Sequence, residues 1–303
     1  MLMPDIERYL ELRRALGYKL ETTEFLLRDF ARFASARGDT HVASHTAMEW
    51  AGQTTTARQS HRRLTAIIGL ARFLRAEDAR HQIPPRTLCR LQHSRPLPYI
   101  FTAEEIQLLV QAARRLGPAG SLRPHTYGTL FSLLAVSGLR ISEALTLRLD
   151  DLTNDGLVVR ETKFHKSRLV PLHESSVAAL TRYLKHRQCI ARDDDHLFLS
   201  LHRTQLCYTT VHRLFKRLCA DAGLPRQPGA RRLRLHDLRH TVAVRALEAC
   251  PHARERVTPH MLALSTYLGH ASVSGTFWYL QSTPQLMQDV AGAGEAWMAG
   301  DHR

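Results

Sequence analysis

Apolar residues recur at spacings of three and four along most of the chain, the period of helices that bury one side. Residues 5–17, DIERYLELRRALG, carry this pattern from an acidic start to a terminal glycine. Residues 22–38, TTEFLLRDFARFASARG, repeat the plan, and residues 44–52, SHTAMEWAG, read as a short third helix. A fourth is predicted within TTTARQSHRRLTAIIGLARFL, residues 54–74, where Leu64, Ile67, Ile68 and Phe73 make an apolar stripe. Around HSRPLPYIFT, residues 93–102, prolines and basic residues break the pattern, and Thr102 followed by AEE is a helix-capping sequence. Helices are then expected over 102–115 and 124–136, with another from about Ile141. The periodicity changes in GLVVRETKFHKSRLVPLH, which reads as two β runs, 157–162 and 168–172, joined by a tight polar turn. Helical patterns return from about residue 174. The expected fold is mainly α with a small antiparallel β-sheet in its second part. The expected division is a helical domain over 1–92, a linker over 93–101 and a larger domain over 102–303.

Charge narrows the partners. The 303 residues hold 42 Lys+Arg against 28 Asp+Glu, a formal net charge of +14. A basic surface gains affinity for a polyanion by displacing its counterions, which puts nucleic acid first. There is no apolar run long enough to span a bilayer and no lipidation or signal-like motif, so no membrane partner is expected. Five scattered cysteines without a CxxC pair fit a reducing cytoplasm. Eighteen histidines show no HExxH-like spacing that would aim two imidazoles at one ion, so no catalytic metal is expected. On the fourth helix Arg58, Gln59, Arg62 and Arg63 crowd the first turns, where basic groups can meet phosphates and Gln59 base edges. Arg213 and Lys216 in TTVHRLFKR, and Arg231 and Arg232 in ARRLR, are further candidates for phosphate contacts; a solvated basic surface accounts for any of these equally well.

Four segments of the second domain hold reactive groups. SGLRISEAL places Arg140 after a glycine at a helix start. ETKFHKSRLVPL places Lys163 where a strand enters the turn, with Lys166 beyond it. RLRLHDLRHTVAV sets His236 and Arg239 three apart, on one helical face. LGHASVSGTFWYL sets Tyr279 nine residues after His270. On an unbroken helix nine residues advance about 900°, which points the two side chains apart. They can share a site only if the glycine and serine residues between them bend the chain. Taken singly, each of these groups also suits a scaffold role.

Taken as an ordered set, Arg140, Lys163, HDLRH, LGH and the following tyrosine resemble the tyrosine recombinase, or phage integrase, family. The resemblance covers nearly the whole chain. It implies a SAM-like helical core-binding domain and a catalytic domain that together form a two-domain clamp on a double-stranded DNA recombination site. It also implies a homo-tetramer on paired sites, acting alone or with related recombinases. The implied catalytic set is Arg140, Lys163, His236, Arg239, His270 and the nucleophile Tyr279, with no cofactor, no metal and no ATP. Two departures stand out: the interval from HDLRH to LGH is several residues longer than in Xer-type members, and fewer than thirty residues follow Tyr279.

The chemistry is intelligible from the residues. Rejoining a DNA strand without ATP requires the phosphodiester energy to be stored, and an enzyme–phosphate bond stores it. A tyrosine, with an ordinary pKa of about 10, must lose its proton during attack. His236 is expected to receive that proton, and His270 to bond the phosphate. Arg140 and Arg239 would fork onto its oxygens, and a turn lysine would protonate the leaving 5′-oxygen; the resemblance implies Lys163 for this, with Lys166 the alternative. The product would be a 3′-phosphotyrosyl link and a free 5′-hydroxyl. The expected role is a cytoplasmic, nucleoid-associated integrase or transposase of a mobile element. An Xer-type resolvase, a non-cutting DNA-binding accessory protein on the same fold and a type IB topoisomerase are the alternatives.

Overall fold

The computed structural model describes residues 2–85, 97–160, 167–189, 194–225, 232–249, 254–277 and 279. The chain divides into two compact units, 1–95 and 96–303.

The first unit is built from α1 (Met3–Ala15), α2 (Glu21–Ser35), α3 (Ser44–Gly52) and α4 (Ala57–Arg75). Helix α1 begins two residues before the expected acidic start. Pro4 stands in its first turn, where its missing N–H costs nothing, and Asp5 lies inside that turn rather than capping it. Thr56 caps α4 by accepting the Gln59 backbone N–H. The four apolar stripes converge on Ile6, Leu10, Leu27, Phe30, Trp50, Leu64, Ile67 and Leu70. Burying a side chain of this size contributes about 1.5–3 kcal/mol, so the stripes hold the unit together. The exit of α4 is clasped to the entry of α3: the Val42 N–H donates to His81 Nδ1 at 3.1 Å, and the Gln82 N–H to the Val42 carbonyl at 2.7 Å. His41, Asp78 and His81 cluster here, but Arg80 bonds both oxygens of Asp78. With His81 Nδ1 also engaged, the cluster reads as a polar clasp.

The second unit opens with α5 (Ala103–Arg114), whose capping box forms as its sequence predicts. Thr102 Oγ1 accepts the Glu105 N–H, and Glu105 accepts the Thr102 N–H. It is followed by α6 (Arg123–Ser137), α7 (Ile141–Thr146) and a 3₁₀ turn, Leu149–Asp151. Three strands, β1 (Leu152–Thr153), β2 (Gly156–Val159) and β3 (Arg168–Val170), form an antiparallel sheet in the order β1-β2-β3. Leu152 pairs with Leu157, and Val158 with Leu169. The sequence predicts only two of these strands, because a two-residue strand is too short to show alternation. Helices α8 (Glu174–Gln188), α9 (Tyr208–Asp221), α10 (Leu235–Glu248), α11 (Arg254–Leu268) and α12 (Ser274–Phe277) complete the unit. Its main core gathers Phe101, Phe131, Tyr183, Phe198 and Phe215. A smaller cluster of Ala243, Val244, Leu247, Met261, Leu264 and Leu268 joins α10 to α11 and includes Tyr279.

Candidate active site

Five of the six residues expected to catalyse converge in the second unit; the sixth, Lys163, lies outside the described residues, as do Lys166 and Arg231. Each arrives from a chain terminus or turn. Helix α6 ends at Gly138, whose φ of +61° reverses the chain, and Arg140 follows as the N-cap of α7. Three positions on, Glu143 reaches back to the Arg140 N–H at 2.9 Å and accepts from Arg140 Nη1 at 2.6 Å. The other end of that guanidinium donates to the Gly269 carbonyl at 2.8 Å.

Glu143 also holds a second arginine, one to which the sequence gave no role. Arg168, the first residue of β3, forks onto it with Nη2 to Oε2 at 2.8 Å and Nη1 to Oε1 at 3.1 Å. Its Nε donates to the Tyr267 carbonyl at 2.8 Å, which ties the sheet to the end of α11. Burial works to raise the pKa of Glu143, and the hydrogen bonds of Arg168 and Arg140 overcome it, leaving the carboxyl at about 2. The carboxylate is therefore ionised throughout the physiological range.

Arg239 and His236 come from the first turns of α10, where Asp237 at the third helical position accepts the Arg234 N–H at 2.8 Å. Arg239 is buried, donating from Nη1 to the Gly138 carbonyl at 2.8 Å and from Nη2 to the Leu268 carbonyl at 2.5 Å. These two carbonyls end α6 and α11, so one guanidinium clamps both helix termini. Its pKa is lowered to about 10 by burial first and then by the nearby charge of Arg140. It stays protonated at neutral pH. The ring of His236 stands open to solvent, edge-on to His240 with centroids 4.5 Å apart.

The bend expected before Tyr279 begins at Gly269, with φ +66° at the end of α11, and His270 follows it. A Cβ on Gly269 would lie 2.6 Å from Arg168 Nη1, so both the backbone angle and the close guanidinium demand glycine. His270 Nδ1 bonds Thr276 Oγ1 at 2.7 Å, and the His270 and Tyr279 rings stack with centroids 6.0 Å apart. They meet, as the bent chain allows; residues 271–273 lie outside the described residues. Tyr279 itself is 2% exposed. Its hydroxyl lies 3.1 Å from His240 Nδ1. The imidazole on the tyrosine hydroxyl is thus that of His240, one turn beyond His236, to which the sequence reading gave the proton. Burial raises the pKa of Tyr279 above its ordinary value, against the pull of Arg239 and Arg140.

Three guanidiniums around one carboxylate leave an excess of two positive charges. The three imidazoles are all held neutral at pH 7: His236 and His270 are drawn down to about 4 and His240 to about 3, by burial first and by the arginines or neighbouring histidine next. For His236, whose ring is open, the neighbouring cations are a firmer cause than burial. Such a pocket suits an anion whose charge grows during reaction. At 4 Å and an effective dielectric of 20, each unit charge interacts with about 4 kcal/mol.

Of the expected DNA contacts, Arg58, Gln59 and Arg62 are exposed on α4. Arg63 turns inward instead, donating to the Trp50 carbonyl at 2.8 Å and stacking on its ring at 4.5 Å. Arg213 and Lys216 are exposed on α9; Lys216 and Arg232 line a cleft of about 470 Å³ with Cys219, Leu224 and Leu233. Neither is bonded into the tyrosine site.

Glu143, Arg168, His240 and Thr276 were missed as site residues, although all four stand within motifs that drew notice. The signal for Glu143 was present, since an acid three residues after a helix start is a capping pattern. No local pattern marks the other three.

Comparison with known proteins agrees with this geometry. The model of the phage integrase family matches residues 100–285. The integrase/recombinase y4rB of Sinorhizobium fredii is 40% identical over 94% of each chain. The tyrosine recombinase XerD of Caulobacter vibrioides is 32% identical, covering 84% of this chain and 82% of its own. Among solved structures, the Tn1549 transposon integrase in complex with transposon right end DNA superposes with a TM-score of 0.67 at 17% identity, covering 95% of this chain and 99% of that one. A cluster of arginines beside a buried tyrosine, in a chain so matched along its length, places this protein in the phage integrase family of tyrosine recombinases.

Proposed function

We propose that this chain cleaves and rejoins duplex DNA at a specific site through a 3′-phosphotyrosyl bond to Tyr279, and that it serves a mobile element as integrase or transposase. The observation that carries the reading is the buried Tyr279 hydroxyl bonded to His240, beside Arg140, Arg168 and Arg239, whose three charges exceed that of Glu143. A scissile phosphate in that pocket would be held by Arg140 and Arg239, whose side chains are already fixed by Glu143, Gly138, Leu268 and Gly269. Donors fixed before the reaction need no reorganisation when charge gathers on the phosphate oxygens. His236, at the open edge of the site, and His270 suit bonds to those oxygens. Lys163 is assigned the proton for the departing 5′-oxygen, from its place in the sequence. In this reading the guanidiniums perform the charge stabilisation that metal ions supply elsewhere in phosphoryl transfer. Reaction should therefore persist in EDTA and without ATP.

The exposed Arg58, Gln59 and Arg62 of α4, and Arg213, Lys216 and Arg232, are proposed DNA contacts. The proposed assembly is a tetramer on two paired sites, acting in the cytoplasm; no described helix is long and apolar enough to cross a membrane. The mobile-element role draws support from the integrase/recombinase relative and the transposon integrase fold.

The test is cleavage of a nicked suicide substrate carrying the element's own ends. A covalent protein–DNA adduct should form, and Tyr279→Phe should abolish it. A 5′-bridging phosphorothiolate, whose leaving group needs no proton, should restore cleavage to Lys163→Ala. Relaxation of plasmids with no such site, at a rate like that on the element's ends, would favour a topoisomerase instead.

A further inference from the structure

We propose that the second unit carries a phosphate-binding site separate from the tyrosine pocket, in the cavity where α5, α6 and α8 meet. This cavity, of about 390 Å³, is lined by Arg114, His125, Thr129, Ser132, Arg182 and His186. Its volume falls in the range of small-ligand pockets, about 300–1,000 Å³. His125 stands in the first turn of α6 and Gly138 ends that helix. At 1.5 Å per residue the two are about 20 Å apart, so a phosphate here is not the one that Arg140 and Arg239 would hold.

Helical spacing builds the site. His125, Thr129 and Ser132 follow one another along one face of α6, and Arg182 and His186 stand one turn apart on α8. Arg114, the last residue of α5, crosses α6 at Gly128. A Cβ there would lie 2.8 Å from Arg114 Cγ, so the glycine is what lets the arginine lie close over the helix. The two imidazoles stack, with centroids 3.8 Å apart and planes 19° apart, which leaves their nitrogens at the ring edges. Among the described residues no Asp or Glu lines the cavity, neither imidazole has a hydrogen bond, and neither Arg114 nor Arg182 has an ion pair. The N-terminus of α6 adds its positive end: its first turn holds no acid, and no side chain caps it.

The chemistry of this set selects the ligand. Two guanidiniums without a carboxylate repel a metal ion, and nearly parallel rings do not aim their lone pairs at one point. A phosphate presents acceptors on every side. It can take the fork of each arginine, the Thr129 hydroxyl and an imidazole N–H together. His125 is held below its ordinary pKa by burial first, then by His186 and Arg114. A bound phosphate opposes both charged causes and should raise it. The charged and titratable groups facing His125 are Arg114 from α5 and Arg182 and His186 from α8. A free phosphate compound and the backbone of a DNA segment outside the cleaved site offer the same chemistry, and the experiment separates them.

The ring protons of His125, identified by their loss in His125→Gln, are followed by NMR in the full chain. Inorganic phosphate, and separately a short duplex lacking the element's ends, are added at constant ionic strength. At least one should give a saturating shift and a raised His125 pKa, and chloride at matched ionic strength neither. Arg114→Gln combined with Arg182→Gln should weaken that binding about tenfold or more, since two charge-assisted contacts are lost. The same double variant should keep its rate of adduct formation at saturating DNA, which separates this site from the reading of Tyr279. A phosphate shift that duplex does not displace assigns the site to a free phosphate compound. A shift with duplex alone, or displacement of phosphate by duplex, assigns it to the DNA backbone. No saturating shift with either ligand overturns the proposal, as does a shift that the double variant leaves unchanged. The titration of the unaltered protein decides the first of these even where a variant fails to fold.

Discussion

Arg239 shows how much one side chain can be asked to do. It is buried, bonded to two helix-ending carbonyls, and its charge acts on the tyrosine hydroxyl. Removing it takes away a proposed phosphate donor and unpairs those carbonyls together. Arg239→Lys keeps the charge but cannot span both carbonyls, since an ammonium lacks the planar fork. It should lower adduct formation by about 10²–10³-fold, with DNA affinity measured by titration little changed. Glu143 is the opposite case, a carboxylate whose removal leaves Arg140 and Arg168 facing each other. Glu143→Ala should destabilise the fold by about 3–5 kcal/mol, the usual result of breaking a buried ion pair, as read from denaturant unfolding. The depressed histidines predict a pH dependence of stability. His240 and His270 have folded pKa values near 3 and 4, below the ordinary 6.5. Between about pH 6.5 and 4 the unfolded chain binds protons that the folded chain does not, so stability present above pH 6.5 is lost as pH falls. Glu143 adds to the same trend only below its ordinary value of 4.5. Melting temperature against pH should fall across that window; a flat curve contradicts the buried neutral rings.

At the scale of elements, the site is an assembly of helix ends. Gly138 closes α6, Arg140 opens α7, Arg239 sits in the second turn of α10, and Gly269 closes α11. Arg168 joins the sheet to this set through Glu143 and Tyr267. Gly269→Ala should therefore cost more than its size suggests. It adds a Cβ at 2.6 Å from Arg168 Nη1 and forces an L residue to φ +66°, the latter worth about 1–2 kcal/mol. Both stability and cleavage rate should drop, and Gly17→Ala, at φ +84° with open space around it, should lower stability while sparing the rate. The helices themselves were legible in the sequence because their stripes are long: α2 and α4 bury Leu27, Phe30, Leu64 and Ile67 at helical spacing. Strand β1 was not legible, being two residues long. The arginines and histidines of the motifs were legible because their order matches a family pattern. Their partners were not, because Glu143 and Arg168 are 25 residues apart and His240 and Tyr279 are 39 apart, and such pairs exist only once the chain has folded.

At the scale of the whole molecule, the formal charge of +14 is spread over both units, but not every basic residue is available to DNA. Arg63 is held by Trp50 and Asp29, whereas Arg58 and Arg62 are exposed on the same helix. Replacing Arg58 and Arg62 together by Gln should weaken DNA binding and reduce the slope of log K against log salt by about two, if each neutralises one phosphate. Arg63→Gln should instead show its main effect in thermal unfolding. The account as a whole depends on the phenol of Tyr279 becoming bonded to DNA. Trapping the protein on a nicked substrate, digesting it and locating the modified peptide by mass spectrometry tests this directly. The prediction is a nucleotide joined through its 3′-phosphate to Tyr279; modification at any other residue, or a 5′-phosphate linkage, would contradict it.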